Sequence, residues 1–214
     1  MNHQKIFNFK IKSNLSNDDF FVSKSNSLAH KVLLNTIKPE KYLYLKGPNK
    51  SGKTHLSQLW KHANKATLFD YNDYNKIINQ NNNILIDNLN LNLNFNEEKL
   101  FHLINHCYNC DLKILITSNI SLDEYNFFIA DLLSRLKSFF FVEIFNPDDE
   151  LINNLLIKLL HDRQINIYDK NIFSFITKRI NRTYSDIYKF IEKIDNLSLA
   201  KKKEITIPLI KELL

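Results

Sequence analysis

Cysteine is scarce in this chain: Cys107 and Cys110 are the only two among 214 residues. That is too few for a disulfide framework, so a reducing cytoplasm is the expected compartment. Long apolar runs are missing as well. No stretch reaches the roughly 18 residues that a membrane span needs, and none is expected. Met1 to Lys12 mixes Asn, Lys and His with its apolar residues and has no apolar centre, so it does not read as a signal peptide. Glycine is just as rare, with two residues, Gly47 and Gly52. A short motif that uses both of them is therefore conspicuous.

What the chain does have is a 44% share of hydrophobic residues, enough for one medium domain with or without a small appendage. The net charge of +6 permits nucleic acid or another polyanion as partner. The lysines fit a solvated surface equally well. The chain is crowded with Asn, Ile and Lys, as the coding bias of an AT-rich genome would produce, and no Lys- or Arg-rich helix stands out.

The expected organisation is α/β followed by all-α. Residues 1–17 are polar and read as a tail. Leu28 to Leu34 reads as a helix end. Short apolar runs at Tyr42 to Leu45, Ala66 to Tyr71, Ile84 to Ile86, Lys113 to Thr117 and Phe139 to Phe145 read as five strands. Helical patterns lie between them at Thr54 to Ala63, Glu97 to Cys107 and Tyr125 to Leu136. Strands alternating with helices predict a parallel five-stranded sheet covered on both faces, over residues 18–147. At Asn146-Pro147-Asp148-Asp149 the pattern changes. Asn suits a cap, Pro a first turn, and the two acids a helix N-terminus. Four helical segments are expected in 148–214, over Glu150 to Asp162, Asp169 to Arg179, Ser185 to Leu199 and the residues after Thr206-Ile207-Pro208. The Asn-rich run Asn88 to Asn96 reads as a loop.

Gly47-Pro48-Asn49-Lys50-Ser51-Gly52-Lys53-Thr54 fits the phosphate-loop pattern G-x-x-x-x-G-K-[ST], between an expected strand and an expected helix. Backbone N–H groups must wrap the phosphates, and side chains would collide where the glycines stand. Lys53 is the expected β,γ-phosphate ligand and Thr54 the Mg²⁺ ligand, with the helix N-terminus aimed at the anion. Lys50 occupies a position where many such loops carry a further glycine, which strains the loop or adds a cation beside the phosphates. Ile84-Leu85-Ile86-Asp87 is an apolar strand ending in an acid, as expected for a residue that holds Mg²⁺ through water. Asn88 follows where a glutamate would polarise the attacking water, and a carboxamide is no base. Slow intrinsic hydrolysis is therefore expected. Thr117-Ser118-Asn119 ends the fourth strand, and Asn119 is either a γ-phosphate sensor or a turn residue.

Further segments carry a family resemblance. Phe20-Phe21-Val22-Ser23 with Asn26 and Ala29 resembles the opening box of DnaA-type AAA+ domains. GPNKSGKTHL resembles their phosphate loop, Asp131-Leu132-Leu133-Ser134-Arg135-Leu136 their box VII, and Asn146 to Glu150 the start of their lid. The run from Leu197 to Leu214, with ITIPLIKELL, resembles the end of Hda proteins in particular. The likeness spans roughly Asp18 to Leu214. It implies an Hda-like chain without the helix-turn-helix DNA-binding domain that follows in DnaA.

The resemblance implies roles. Arg135 matches an arginine finger that reaches a neighbouring subunit's nucleotide, a use that suits a fixed planar cation. Arg182 matches the lid arginine of sensor 2, with Arg179 one turn away as its rival. Phe20 and Val22 are expected to edge the adenine, and His55 follows Thr54 as in DnaA-like proteins. Gln4, Phe7 and Phe9 resemble a sliding-clamp motif, and the same residues read equally as a short apolar strand. The implied cofactors are ADP or ATP with Mg²⁺. The implied partners are DnaA and the DNA polymerase III sliding clamp, with self-association possible in principle, DNA contacted mainly indirectly, and no membrane. Two other functions compete with this regulatory role: a DnaC-like helicase-loader ATPase and a basic nucleic-acid-binding module. The Cys107-x-x-Cys110 pair with His102 and His106 is not expected to be a metal site, since no second cysteine pair completes one.

Overall fold

A computed structural model describes residues 20–34, 36–37, 40–89, 96–165, 167, 171–201 and 206–211, with the backbone alone at 198–201. The expected clamp motif at Gln4, Phe7 and Phe9, and most of the Asn-rich run, lie outside these residues.

Five parallel strands form the sheet: β1 (Tyr42–Lys46), β2 (Thr67–Leu68), β3 (Ile84–Ile86), β4 (Ile114–Ser118) and β5 (Phe140–Glu143). Their order is β2-β3-β4-β1-β5, so β1 lies between β4 and β5. All four pairings are parallel, and the connections carry helices. These are α1 (Ser27–Leu33) before the sheet, then α2 (Lys53–Ala63), α3 (Tyr74–Gln80), α4 (Glu97–Asn109) and α5 (Ala130–Lys137).

The side-chain alternation of the strands sorts two faces. Leu43, Leu45, Leu85, Leu115 and Val142 point to one side, against Ala29, Val32 and Leu33 of α1 and Leu56 and Trp60 of α2. Tyr44, Ile84, Ile86, Ile114 and Ile116 point to the other, against Leu100, Leu103 and Ile104 of α4 and Leu132 and Leu136 of α5. A strand buried on both faces must be apolar at consecutive positions, and Ile84-Leu85-Ile86 and Ile114-Leu115-Ile116 are. Each such Leu or Ile stabilises the fold by about 1.5–3 kcal/mol on burial.

Among the described residues four helices follow: α6 (Asp149–His161), α7 (Asn171–Thr177), α8 (Tyr184–Lys201) and α9 (Ile207–Lys211). They enclose a third apolar cluster with Ile152, Leu156, Ile172, Ile176, Ile187, Ile191 and Ile210. Leu151 and Tyr184 instead join the sheet's own core, which fastens this lid to the sheet.

Several boundaries differ from the sequence reading. β2 is only two residues long because the Asp70 carboxylate accepts the Asn72 N–H at 2.9 Å and turns the chain into a 3₁₀ turn, Tyr71–Asp73. The helix expected from Tyr125 begins at Ala130. A separate 3₁₀ turn spans Leu122–Glu124, and the Tyr125 hydroxyl is drawn inward, donating to Leu89 O at 2.7 Å. Glu97 accepts the N–H groups of Phe128 and Ile129 at 2.9 and 3.0 Å, supplying the acceptors that the start of α5 needs. β5 covers Phe140–Glu143, since Phe139 N–H still bonds Leu136 O and Phe145 N–H turns to Ser25 O. At the lid start the cap is Asp148, which accepts Leu151 N–H at 2.8 Å, with Pro147 just outside the helix. Among the described residues, no helix is long and apolar enough to cross a membrane.

Candidate functional site

The C-terminal edge of the sheet, where open α/β sheets bind ligands, gathers most of the expected site. β1 ends at Lys46 and the chain enters the Gly47–Thr54 loop, whose first N–H bonds Ser118 O of the neighbouring β4 at 3.1 Å. A β-carbon on Gly47 would stand 2.9 Å from Ser51 Oγ and 3.1 Å from Ile144 Cβ, so the close approach demands glycine. Gly52 has φ +90, and a β-carbon there would meet the Phe20 ring at 3.0 Å. Lys50 also stands in the left-handed region, at φ 65. Without glycine's freedom this backbone costs about 1–3 kcal/mol. Two left-handed residues so close together curl the loop into a concave nest of the kind that binds anions. Ser51 Oγ is buried there with no hydrogen-bond partner among the described residues. The first N–H groups of α2 lack intrahelical partners by geometry.

Lys53 is 8% exposed and donates to Gly47 O at 2.6 Å and to Pro48 O at 2.8 Å, tying the loop to itself. Burial lowers its pKa, and the Asp87 carboxylate opposes that shift. A desolvated ammonium, an orphaned hydroxyl and a curled backbone fit a phosphate group chemically. Thr54, in the first turn of α2, is exposed.

Asp87 follows β3 and is fixed by its neighbours. Thr117, fully buried, donates to Asp87 Oδ1 at 2.7 Å and accepts the Asn88 N–H at 2.7 Å. Ser57, one turn after Thr54, donates to Thr54 O at 3.0 Å, and its Oγ stands 3.5 Å from Asp87 Oδ1. Asn88 has φ 60 and is exposed. Asn119 reaches the loop, its Nδ2 3.5 Å from Asn49 Oδ1. The sequence alone does not point to Thr117 as the residue that positions Asp87, nor to Ser57 beside it. The signal available for Ser57 is its helical spacing from Thr54.

Phe20 lies against Gly52, stacked on His30 with centroids 5.7 Å apart and edge-on to His55 at 5.5 Å. Val22, two residues on, is 44% exposed. The opening box is tied to the lid: Asn26 donates to Phe21 O at 2.8 Å, and the Asp148 carboxylate accepts Ser25 N–H at 3.3 Å.

The two lid arginines do not meet the loop in this structure. Arg182 pairs with Asp149 at 3.0 Å, and Arg179 sits over the Phe175 ring at 3.7 Å. Arg135 is elsewhere altogether. Its guanidinium lies 5.2 Å from the Tyr108 ring centroid, and Tyr108 packs at 4.1 Å on Tyr42, the first residue of β1. The phosphate loop begins after the last residue of that five-residue strand, roughly 16 Å further on at strand rise. Arg135 is exposed on the opposite edge of the sheet from this chain's own loop. Cys107 is buried, its thiol pushed up to about 12 by desolvation, while Cys110 is exposed.

A family model for the Hda lid domain matches residues 149–214. The chromosomal replication initiator protein DnaA of Buchnera aphidicola subsp. Baizongia pistaciae is 30% identical, aligned over 94% of this chain and 50% of its own length. The chain is a DnaA-homologous AAA+ protein with an Hda-type lid. It spans about half the length of the curated initiators it matches. Among solved structures, domain III of Thermotoga maritima DnaA superposes with a TM-score of 0.71 at 17% identity, covering 96% of this chain and 98% of that one. AMPPCP-bound DnaA from Aquifex aeolicus gives 0.66 at 18% identity, covering 86% and 67%. These likenesses establish the P-loop AAA+ fold.

Proposed function

We propose that this chain is a regulator of chromosomal replication initiation that binds ADP or ATP with Mg²⁺ and, together with the DNA-loaded sliding clamp, promotes hydrolysis of the ATP held by DnaA. The observation that carries this reading is the separation of Arg135 from the chain's own phosphate loop. An exposed guanidinium on the far edge of the sheet has no phosphate of its own to serve. It suits the γ-phosphate of a neighbouring subunit, where an arginine finger stabilises transition-state charge. The Hda-type lid and the DnaA homology name the neighbour the reading prefers.

In this reading Lys53 and the loop N–H groups hold the chain's own nucleotide phosphates, Thr54 and Asp87 hold Mg²⁺, and Asn119 senses the γ-phosphate. Phe20, Val22 and His55 edge the adenine. The metal supplies charge neutralisation on the phosphates. Thr117 holds the Asp87 carboxylate in place. Arg182 serves as sensor 2 after leaving Asp149. Asn88 keeps the chain's own turnover slow, since no carboxylate stands there to polarise water. Gln4, Phe7 and Phe9 dock on the clamp. The division of the chain at residue 147 belongs to the same reading, supported by the separate apolar cluster of the lid.

The test is hydrolysis of labelled ATP preloaded on the cognate DnaA, with clamp-loaded DNA and this protein added. Acceleration that disappears with Arg135→Ala is the expected result. Stimulation by Arg135→Ala equal to wild type would remove the finger from the proposal. No stimulation, together with intrinsic turnover near one per second or faster, would favour a helicase-loader ATPase.

A further inference from the structure

We infer that Lys50 is a lid latch: its ammonium, presented by the left-handed turn of the phosphate loop, closes on the ring of Tyr188 and holds helix α8 over the loop. The Lys50 Nζ stands 5.0 Å from the Tyr188 ring centroid. At that distance a cation is attracted by the ring's negative face, more strongly where the pair is partly desolvated. Tyr188 is half-buried, and burial raises its hydroxyl's pKa, so the ring sits in a low-dielectric setting.

Helix α8 is built to bring that ring to the loop. Tyr184 lies one turn earlier, on the same helical face. It is buried in the core of the sheet domain and donates to Phe145 O at 3.1 Å. Tyr184 therefore fixes the base of the helix, and Tyr188, at the next turn, meets the phosphate loop. On the lid side Tyr188 packs against the cluster around Ile187 and Ile191. A shift of α8 away from the loop has to break the contact with Lys50.

The latch also gives a physical reason for a lysine at a left-handed position. The backbone at φ 65 opposes any non-glycine residue there, and the contact with Tyr188 offsets part of that cost. The inference rests on the proposed nucleotide site only for its consequence, which is that the latched lid slows the escape of bound nucleotide.

Hydrogen exchange on the full chain without nucleotide tests the latch by itself. Lys50→Gln and Tyr188→Leu are each expected to speed exchange of the 47–52 loop and the first turns of α8 about fivefold, the size of a partly desolvated cation–π contact. The double variant should exceed neither single one, and Tyr188→Phe, which keeps the ring, should behave as wild type. Unchanged exchange in Lys50→Gln would overturn the latch, and so would multiplying effects in the double variant. A rise in Tyr188→Leu that spreads equally over Asn171–Thr177 would report a loosened lid core, and the latch would then stand or fall with Lys50→Gln. Release of a fluorescent ADP should quicken by the same factor in the two latch variants. A wild-type protein that binds no adenine nucleotide would sink the functional reading, while the exchange data would still decide the latch.

Discussion

The two edges of the sheet are built on opposite principles. At the C-terminal edge the central side chains are held by neighbours: Lys53 by two loop carbonyls, Asp87 by Thr117, and Phe20 by two histidine rings. At the N-terminal edge a half-buried set links Lys113, Asn83 and Asn64, while the charged groups beside it stand in solvent. Arg135 rests on Tyr108, and Lys41 pairs with Asp111 across the surface. The difference teaches where each site finds its partner. A preorganised loop with a buried ammonium serves a small ligand that must be wrapped. An exposed cation on a short helix serves a surface that another molecule brings.

The comparison breaks most sharply at Arg135. Arg135→Lys keeps the charge and loses the planar fork, so stimulation of the partner's hydrolysis should fall nearly as far as in Arg135→Ala, by about 10³-fold or more. The readout is single-turnover hydrolysis on DnaA. Full activity in the lysine variant would mean that a point charge suffices and that the edge is not shaped for a γ-phosphate. A smaller effect is expected at the other edge. Lys53→Met removes charge-assisted bonds to the phosphates, and nucleotide affinity should drop about 10–100-fold in equilibrium titration. Unchanged affinity would separate the loop from nucleotide altogether.

Much of this contrast is legible in the sequence, because the phosphate edge is written in local patterns. The apolar triplet Ile84-Leu85-Ile86 reads as a strand buried on both faces, and the structure sets β3 at those residues. The two glycines of the chain both fall in the loop that needs them. Local patterns fail where a side chain competes with the backbone. Asp70 ends β2 early by taking an N–H, and the Tyr125 hydroxyl pulls inward a segment that looks helical. Helix α3 was hidden because Asn, Lys and Gln dominate Tyr74–Gln80, and it is anchored by the single buried residue Ile77. Contacts between distant residues leave no local trace: nothing near Lys50 announces Tyr188, and nothing near Asp87 announces Thr117.

Thr117 sharpens the comparison from the side of stability. Thr117→Val keeps the shape and deletes the hydroxyl, leaving the Asn88 N–H without its acceptor and Asp87 Oδ1 without its short hydrogen bond. A loss of about 1–3 kcal/mol is expected in urea unfolding, with a higher Mg²⁺ requirement for nucleotide binding as the loosened carboxylate wanders. Unchanged stability with unchanged Mg²⁺ dependence would mean that water replaces the hydroxyl freely and that Asp87 is not held by its neighbours.

The weakest effect belongs to the N-terminal edge, and it decides whether the contrast is real. Lys41 and Asp111 make a close ion pair, yet their side chains remain 47% and 75% exposed. Solvent screens such a pair, and ordering two flexible ends opposes it. The pair raises the pKa of Lys41, first through the hydrogen bond that the ammonium donates to Asp111. That contribution is present at neutral pH and fades as pH climbs through the lysine's raised value. Lys41→Ala should therefore shift the thermal midpoint at pH 7 by less than about 2 °C, and salt at about 0.5 M should erase even that. A shift several times larger would show that a solvent-facing pair can fix the N-terminal edge as firmly as buried hydrogen bonds fix the other. Arg135 would then have to be read as part of a rigid surface rather than a side chain waiting for its partner.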